Sequence, residues 1–111
     1  MEIATKTVDQ ITVVELAGDI DANTAPKVQE LVLPLATANS KLLLNMTAVP
    51  YMSSAGLRSL LALYRQATVQ ECKLVLVGLS SDIQDTMSVT GFLDFFQTVE
   101  TVDQGIAMLN S

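Results

Sequence analysis

The sequence predicts an α/β domain: one mixed β-sheet that opens with an antiparallel hairpin and continues as strands alternating with about four helices, which lie mainly on one face. Three observations lead there. The β-branched residues Ile3, Thr5, Thr7 and Val8, then the run Ile11–Val14, flank the turn-forming Asp9-Gln10 and read as a hairpin. Further on, Lys41–Met46 and Lys73–Leu79 are continuous apolar runs, the composition of strands buried on both sides in a parallel sheet. Each run is followed by serines and then by apolar residues at helical spacing, which gives the order β-β-α-β-α-β-α-β-α.

Taken in order, the second strand should stop near Gly18, because Asp19-Ile20-Asp21-Ala22-Asn23-Thr24 is dense in turn and cap formers. Thr24 is the expected N-cap of the first helix, with Pro26 in its first turn. Val28, Leu31, Val32 and Leu35 recur at helical spacing and supply its apolar face. Pro34 has no amide proton and its ring meets the carbonyl four residues back, so the helix should kink or end there. Lys41–Met46 is expected to be the central strand. Pro50 interrupts its ladder, and Tyr51-Met52 delivers the chain to Ser53-Ser54.

The second helix should turn Leu57, Leu60, Leu61, Tyr64 and Thr68 to the core, keep Arg58, Arg65 and Gln66 away from it, and end before Glu71. After the strand Lys73–Leu79, Ser80 or Ser81 caps a third helix with Ile83, Met87 and Val89 inward. Gly91 is well placed just past its end, where a left-handed backbone costs glycine little. Phe92, Leu93, Phe95 and Phe96 form an aromatic cluster that reads as core and core edge. A short strand Gln97–Thr101 and a helix near Val102–Leu109 follow.

Composition narrows the function classes. At 111 residues, half of them hydrophobic and 16% charged, the chain suits one domain, residues 1–111, that buries its own core. Twelve acidic and six basic residues leave a charge of −6, which repels nucleic-acid phosphates and anionic membranes. No apolar run approaches the roughly 20 residues that span a bilayer, so no membrane insertion is expected. The first residues lack the basic-then-apolar pattern of a secretory signal, and the single cysteine, Cys72, cannot form an internal disulfide; a cytoplasmic location is expected.

Histidine is absent, which removes the commonest general base and transition-metal ligand, and no phosphate-binding Gly-Lys loop occurs. No catalytic residue and no cofactor is therefore expected. Cys72 reads as a small buried residue, and the pairs Asp19/Asp21 and Asp82/Asp85 lack further hard ligands, so no metal is expected. What remains is the junction at Ser53-Ser54. A helix start offers unpaired amides and a partial positive charge, so a serine there either caps the helix or carries an anion.

Val49-Pro50-Tyr51-Met52-Ser53-Ser54-Ala55-Gly56-Leu57, preceded by the strand ending at Leu44-Asn45, resembles the signature of STAS domains, particularly the stand-alone bacterial anti-sigma factor antagonists. In that family a hydrophobic strand leads into a segment like Asp-Ser-Ser-Gly-Leu at the second helix. Gly18–Ala25 is similar to the family's Gly-Glu-Leu-Asp segment, and Gly78-Leu79 and Thr90-Gly91-Phe92 match later landmarks in order. The resemblance covers nearly the whole chain and implies a single STAS-like domain.

It also implies a mechanism. Ser54 takes the place of the phosphorylated serine. Ser53 is the second choice, because it stands where an aspartate is usual, and Ala55 replaces a frequent second serine. The implied partner is an anti-sigma factor that is also a serine protein kinase; the unmodified antagonist binds it and releases a sigma factor, and a serine phosphatase reverses the modification. The implied partner surface comprises Asp19, Asp21, Asn23, Met52, Ser53, Ser54, Ala55, Gly56 and Arg58. Arg58, four residues after Ser54, is placed to pair with a phosphate or an acidic partner, or else is a solvated surface arginine. The alternative within the resemblance is a non-switching STAS adaptor subunit of a transport or lipid-trafficking complex.

Overall fold

The computed structural model describes residues 1–111, and its strands form one sheet in the order β1-β2-β3-β4-β5. The elements are β1 (Glu2–Val8), β2 (Ile11–Ala17), α1 (Ala25–Val32), β3 (Lys41–Ala48), α2 (Ser54–Val69), β4 (Lys73–Val77), α3 (Ser81–Val89), β5 (Gln97–Val99) and α4 (Val102–Leu109). β1 and β2 are antiparallel, paired from Glu2–Ala17 to Val8–Ile11, and every later pairing is parallel. Asp9 and Gln10 both take positive φ, 51° and 68°, the left-handed two-residue turn whose twist suits a hairpin. β3 is central, as its uninterrupted apolar run implies.

The continuous runs are explained by burial on both faces. One face carries Val14, Leu16, Leu42, Leu44, Met46 and Leu76 against Val28 and Val32 of α1, Leu60 of α2, and Ile83 and Met87 of α3. The other carries Ile11, Val13, Leu43, Val75 and Val77 under Leu109, Val102 and Ile106 of α4. Helices thus lie mainly on one face, with α4 alone on the opposite one. Gly105 lets α4 sit low on the sheet, since a Cβ there would stand 2.7 Å from Leu43 Cδ1. No helix is long and apolar enough to cross a membrane.

Several local expectations shift. α1 ends at Val32 and passes into a tight 3-10 turn over Leu33–Leu35, which is how the chain accommodates Pro34. Its buried residues are Ala25, Val28 and Val32; Leu31 lies off that face, 43% exposed. In α2 the buried face is Gly56, Leu57, Ser59, Leu60, Leu63 and Ala67, whereas Leu61 and Tyr64 are half-buried and Thr68 is exposed. The small residues Gly56 and Ala67, which an apolar stripe does not reveal, belong to the buried face, Gly56 at a close approach to Ile20 and Met52. Val89, expected inward on α3, is 87% exposed.

β4 stops at Val77, because Gly78 turns left-handed (φ 71°) and gives its amide to the Val99 carbonyl at 3.0 Å. β5 stops at Val99 because Thr101 begins the capping box of α4: its hydroxyl accepts from the Gln104 amide at 3.2 Å, and the Gln104 side chain accepts from the Thr101 amide at 3.2 Å. Of the aromatic cluster only Phe96 is buried. Tyr64 meets it edge-on and stacks on the half-exposed Phe95, with centroids 5.5 and 5.4 Å apart. Cys72 is buried, and burial pushes its thiol up, opposed by a hydrogen bond from the Ser40 hydroxyl at 3.2 Å.

The exposed end of α3 yields a direct check. Met87→Ala should cost about 2–5 kcal/mol, since Met87 is fully buried, whereas Val89→Ala should stay within about 0.5 kcal/mol. Urea denaturation of both variants measures the difference, and equal costs would refute the inward face described for α3.

Candidate functional site

The site forms beyond the carboxyl ends of the adjacent parallel strands β2 and β3, where loops leaving such a sheet usually bind their partners. Two loops meet there side by side. Ile20 and Met52 form an isolated parallel bridge: the Ile20 amide donates to the Tyr51 carbonyl at 3.0 Å, and the Ser53 amide donates to the Ile20 carbonyl at 2.9 Å. Ile20 is fully buried. The acidic loop before α1 is therefore stitched by backbone to the segment that starts α2.

α2 comes close to that stitch because position 56 is glycine. A Cβ on Gly56 would lie 2.5 Å from the Ile20 carbonyl oxygen and 2.6 Å from Met52 Cγ, inside any real contact distance. Ser53 precedes the helix in extended conformation (φ −82°, ψ 178°), its hydroxyl accepts from the Gly56 amide at 3.3 Å, and its carbonyl accepts from the Leu57 amide at 2.9 Å. Ser53 is thus the N-cap, half-buried and committed. Ser54, the first helical residue, is exposed, and its hydroxyl makes no hydrogen bond within the chain. The backbone amides of Ser54 and Ala55 also find no acceptor there. An anion on Ser54 would meet free donors and the positive end of a helix.

The loop before α1 is ordered by its own polar groups. Asp21 Oδ1 accepts from the amides of Asn23 at 2.9 Å and Thr24 at 3.1 Å, and the Thr24 hydroxyl donates to the Asp19 carbonyl at 2.8 Å. Thr24 occupies the N-cap position, but its side chain caps no helical amide; it closes the loop instead. The Asp21 carboxylate is turned inward on this turn, which leaves Asp19 and Asn23 as the exposed polar groups.

The structure places the other expected site residues unevenly. Arg58 is exposed and pairs with no carboxylate, the sole ion pair being Lys6–Glu15 at 3.2 Å on the hairpin. Ala55 is half-exposed. Met52 and Gly56, expected on the partner surface, are buried: Met52 is 6% exposed, and both set the distance between the loops rather than offering atoms outward. Two neighbours escaped sequence reasoning. Ile20, an apolar residue between two aspartates, carries the bridge. Tyr51 is 54% exposed at the rim of a cleft of about 190 Å³ that Met52, Asp82, Ile83 and Thr86 complete. No group of three or more metal-ligating side chains occurs.

The two serines are separable by stability. Ser53→Ala should cost about 1 kcal/mol through loss of the cap, and Ser54→Ala should remain within about 0.5 kcal/mol. Thermal or urea unfolding of both checks this; the reverse order would assign the cap to Ser54. Gly56→Ala should cost about 1–3 kcal/mol by overpacking, read in the same assay.

Comparison with known proteins agrees with this geometry. The family model described as STAS domain matches residues 2–105. An anti-sigma-B factor antagonist of Listeria monocytogenes is 33% identical over 98 residues, 87% of this chain and 85% of the relative. An anti-sigma factor antagonist from Mycobacterium paratuberculosis has the same fold, with a TM-score of 0.88 at 22% identity over 99% of this chain and 94% of that one. The anti-sigma factor antagonist SpoIIAA in its unphosphorylated form superimposes with a TM-score of 0.79 at 15% identity, over 98% of this chain and 96% of that one. The phosphorylated form of SpoIIAA, a Bacillus cell fate determinant, gives 0.70 at 14% identity, over 96% and 98%. The chain belongs to the STAS domain family and, within it, to the anti-sigma factor antagonists, which are regulatory proteins and not enzymes.

Proposed function

We propose that this protein is a partner-switching antagonist controlled at Ser54 and working in the cytoplasm. Unmodified, it binds an anti-sigma factor that is also a serine protein kinase, and the bound sigma factor is released. The kinase then transfers the γ-phosphoryl group of ATP to Ser54 Oγ, the hydroxyl proton leaves to a base, ADP departs and the complex dissociates. A serine phosphatase restores the free hydroxyl. The observation that carries this reading is the division of labour at the start of α2, where Ser53 holds the cap and Ser54 presents a free, exposed hydroxyl.

The physical consequences follow from charge. Phosphorylation adds about −1.5 to −2 charges. The helix N-terminus stabilises an exposed anion by about 0.3–1 kcal/mol, and the unpaired amides of Ser54 and Ala55 add donors. The domain therefore tolerates the group without unfolding, consistent with the shared fold of SpoIIAA in its unphosphorylated and phosphorylated forms. The effect falls on the docking surface. There the phosphate repels acidic partner groups and resists desolvation, and the neighbouring loop carrying Asp19 and Asp21 reinforces the negative field.

Calorimetric titration with the anti-sigma factor tests the switch. Ser54→Ala should bind as the wild type does, and Ser54→Asp should bind about tenfold or more weakly, a loss of about 1.4 kcal/mol. Equal affinities would overturn the switch. Retrieval of transporter subunits, with no kinase, by Ser54→Ala bait would point instead to the adaptor role.

A further inference from the structure

The basic residues of α2 are unaccounted for by the fold. The chain has two arginines, Arg58 and Arg65, and both lie on α2, which contains no acidic residue although the whole chain has twelve and a charge of −6. Both arginines are exposed, and neither is within ion-pairing distance of a carboxylate. Neither sits in the last turn of α2, where a cation would offset the helix dipole. They stabilise nothing that the structure records.

Their placement is ordered. Gly56, Leu60, Leu63 and Ala67 fix the buried side of α2. Ser54, Arg58, Leu61 and Arg65 follow at intervals of four, three and four, so they align as one stripe, in which Ser54, Arg58 and Arg65 are exposed and Leu61 is half-buried against the core. At the helical rise the stripe is about 16 Å long from Ser54 to Arg65. Beside it, Tyr64 and the half-exposed Phe95 stack with centroids 5.4 Å apart, adding apolar surface at the far end.

Resting on the function proposed above, we infer that the partner surface extends along α2 as far as Arg65 and receives an acidic segment of the anti-sigma factor, whose carboxylates meet Arg58 and Arg65. Charge complementarity selects this occupant: two free guanidinium groups favour carboxylates, while the charge of −6 on each copy opposes pairing with a second copy of this chain. The direction of the switch requires the same sign. A phosphate at the end of the stripe repels an acidic segment and competes for Arg58 four residues away, whereas it would strengthen the docking of a basic one.

The full-length protein and the purified anti-sigma factor test this together. Arg65→Glu should weaken binding about tenfold or more, a loss of about 1.4 kcal/mol, with unchanged unfolding, and binding of the wild type should weaken as salt rises. Arg65→Lys should retain binding and supply an amine for zero-length carbodiimide coupling. Its condensation with a partner carboxylate, with the lost water taken up as the urea by-product, gives an amide bond that peptide mapping locates. A cross-link from position 65 to a partner Asp or Glu is the expected result. Full binding by Arg65→Glu, or no cross-link from position 65 in a complex that forms, would overturn the inference while leaving Ser54 control intact; failure of the wild type to bind would overturn both.

Discussion

The close approach of Gly56 to Ile20 is the contact on which the site depends. With no side chain at position 56, the first turn of α2 rests against the Ile20 carbonyl and Met52, and the Ile20–Met52 bridge then holds the acidic loop alongside. A larger residue would force the helix start away from the loop and separate the two halves of the surface. The sheet supplies the platform, because β2 and β3 are adjacent and parallel and their carboxyl ends release both loops at the same edge. Burial of the strands on both faces keeps that platform rigid.

On this platform the helix terminus does two separate jobs with adjacent residues. Ser53 satisfies one helical amide and ends its availability, whereas Ser54 remains outside the hydrogen-bond network. Modification of Ser53 would have to act on the hydroxyl that already accepts from the Gly56 amide. A phosphate on the next residue leaves the cap intact and meets unpaired amides. Serine at position 53, where the family resemblance implies an aspartate, thus keeps the cap while leaving one negative charge fewer beside Ser54, the proposed modification site.

Much of the fold was legible because it follows from local chemistry. The hairpin turn, the central strand, the end of α1 near Pro34 and the left-handed Gly91 were all anticipated from residue type and spacing. The errors arose where tertiary contact overrides the apolar pattern. Leu31 and Val89 fit a helical stripe yet lie exposed, and Gly56 and Ala67 are buried without a large apolar side chain to mark them. At the site, both serines are good caps by composition, and only backbone geometry separates them. Met52 looked available because it adjoins the serines, but it points inward under the Ile20 bridge. Ile20 itself gave little signal, since a single apolar residue in an acidic loop does not reveal its bridge partner.

Incubation of the intact protein with its serine kinase and ATP, followed by intact-mass measurement and peptide mapping, tests the central claim most directly. One phosphate on Ser54, with Ser53 unmodified, is the result this structure predicts. Phosphate on Ser53, or none on either serine, would contradict it.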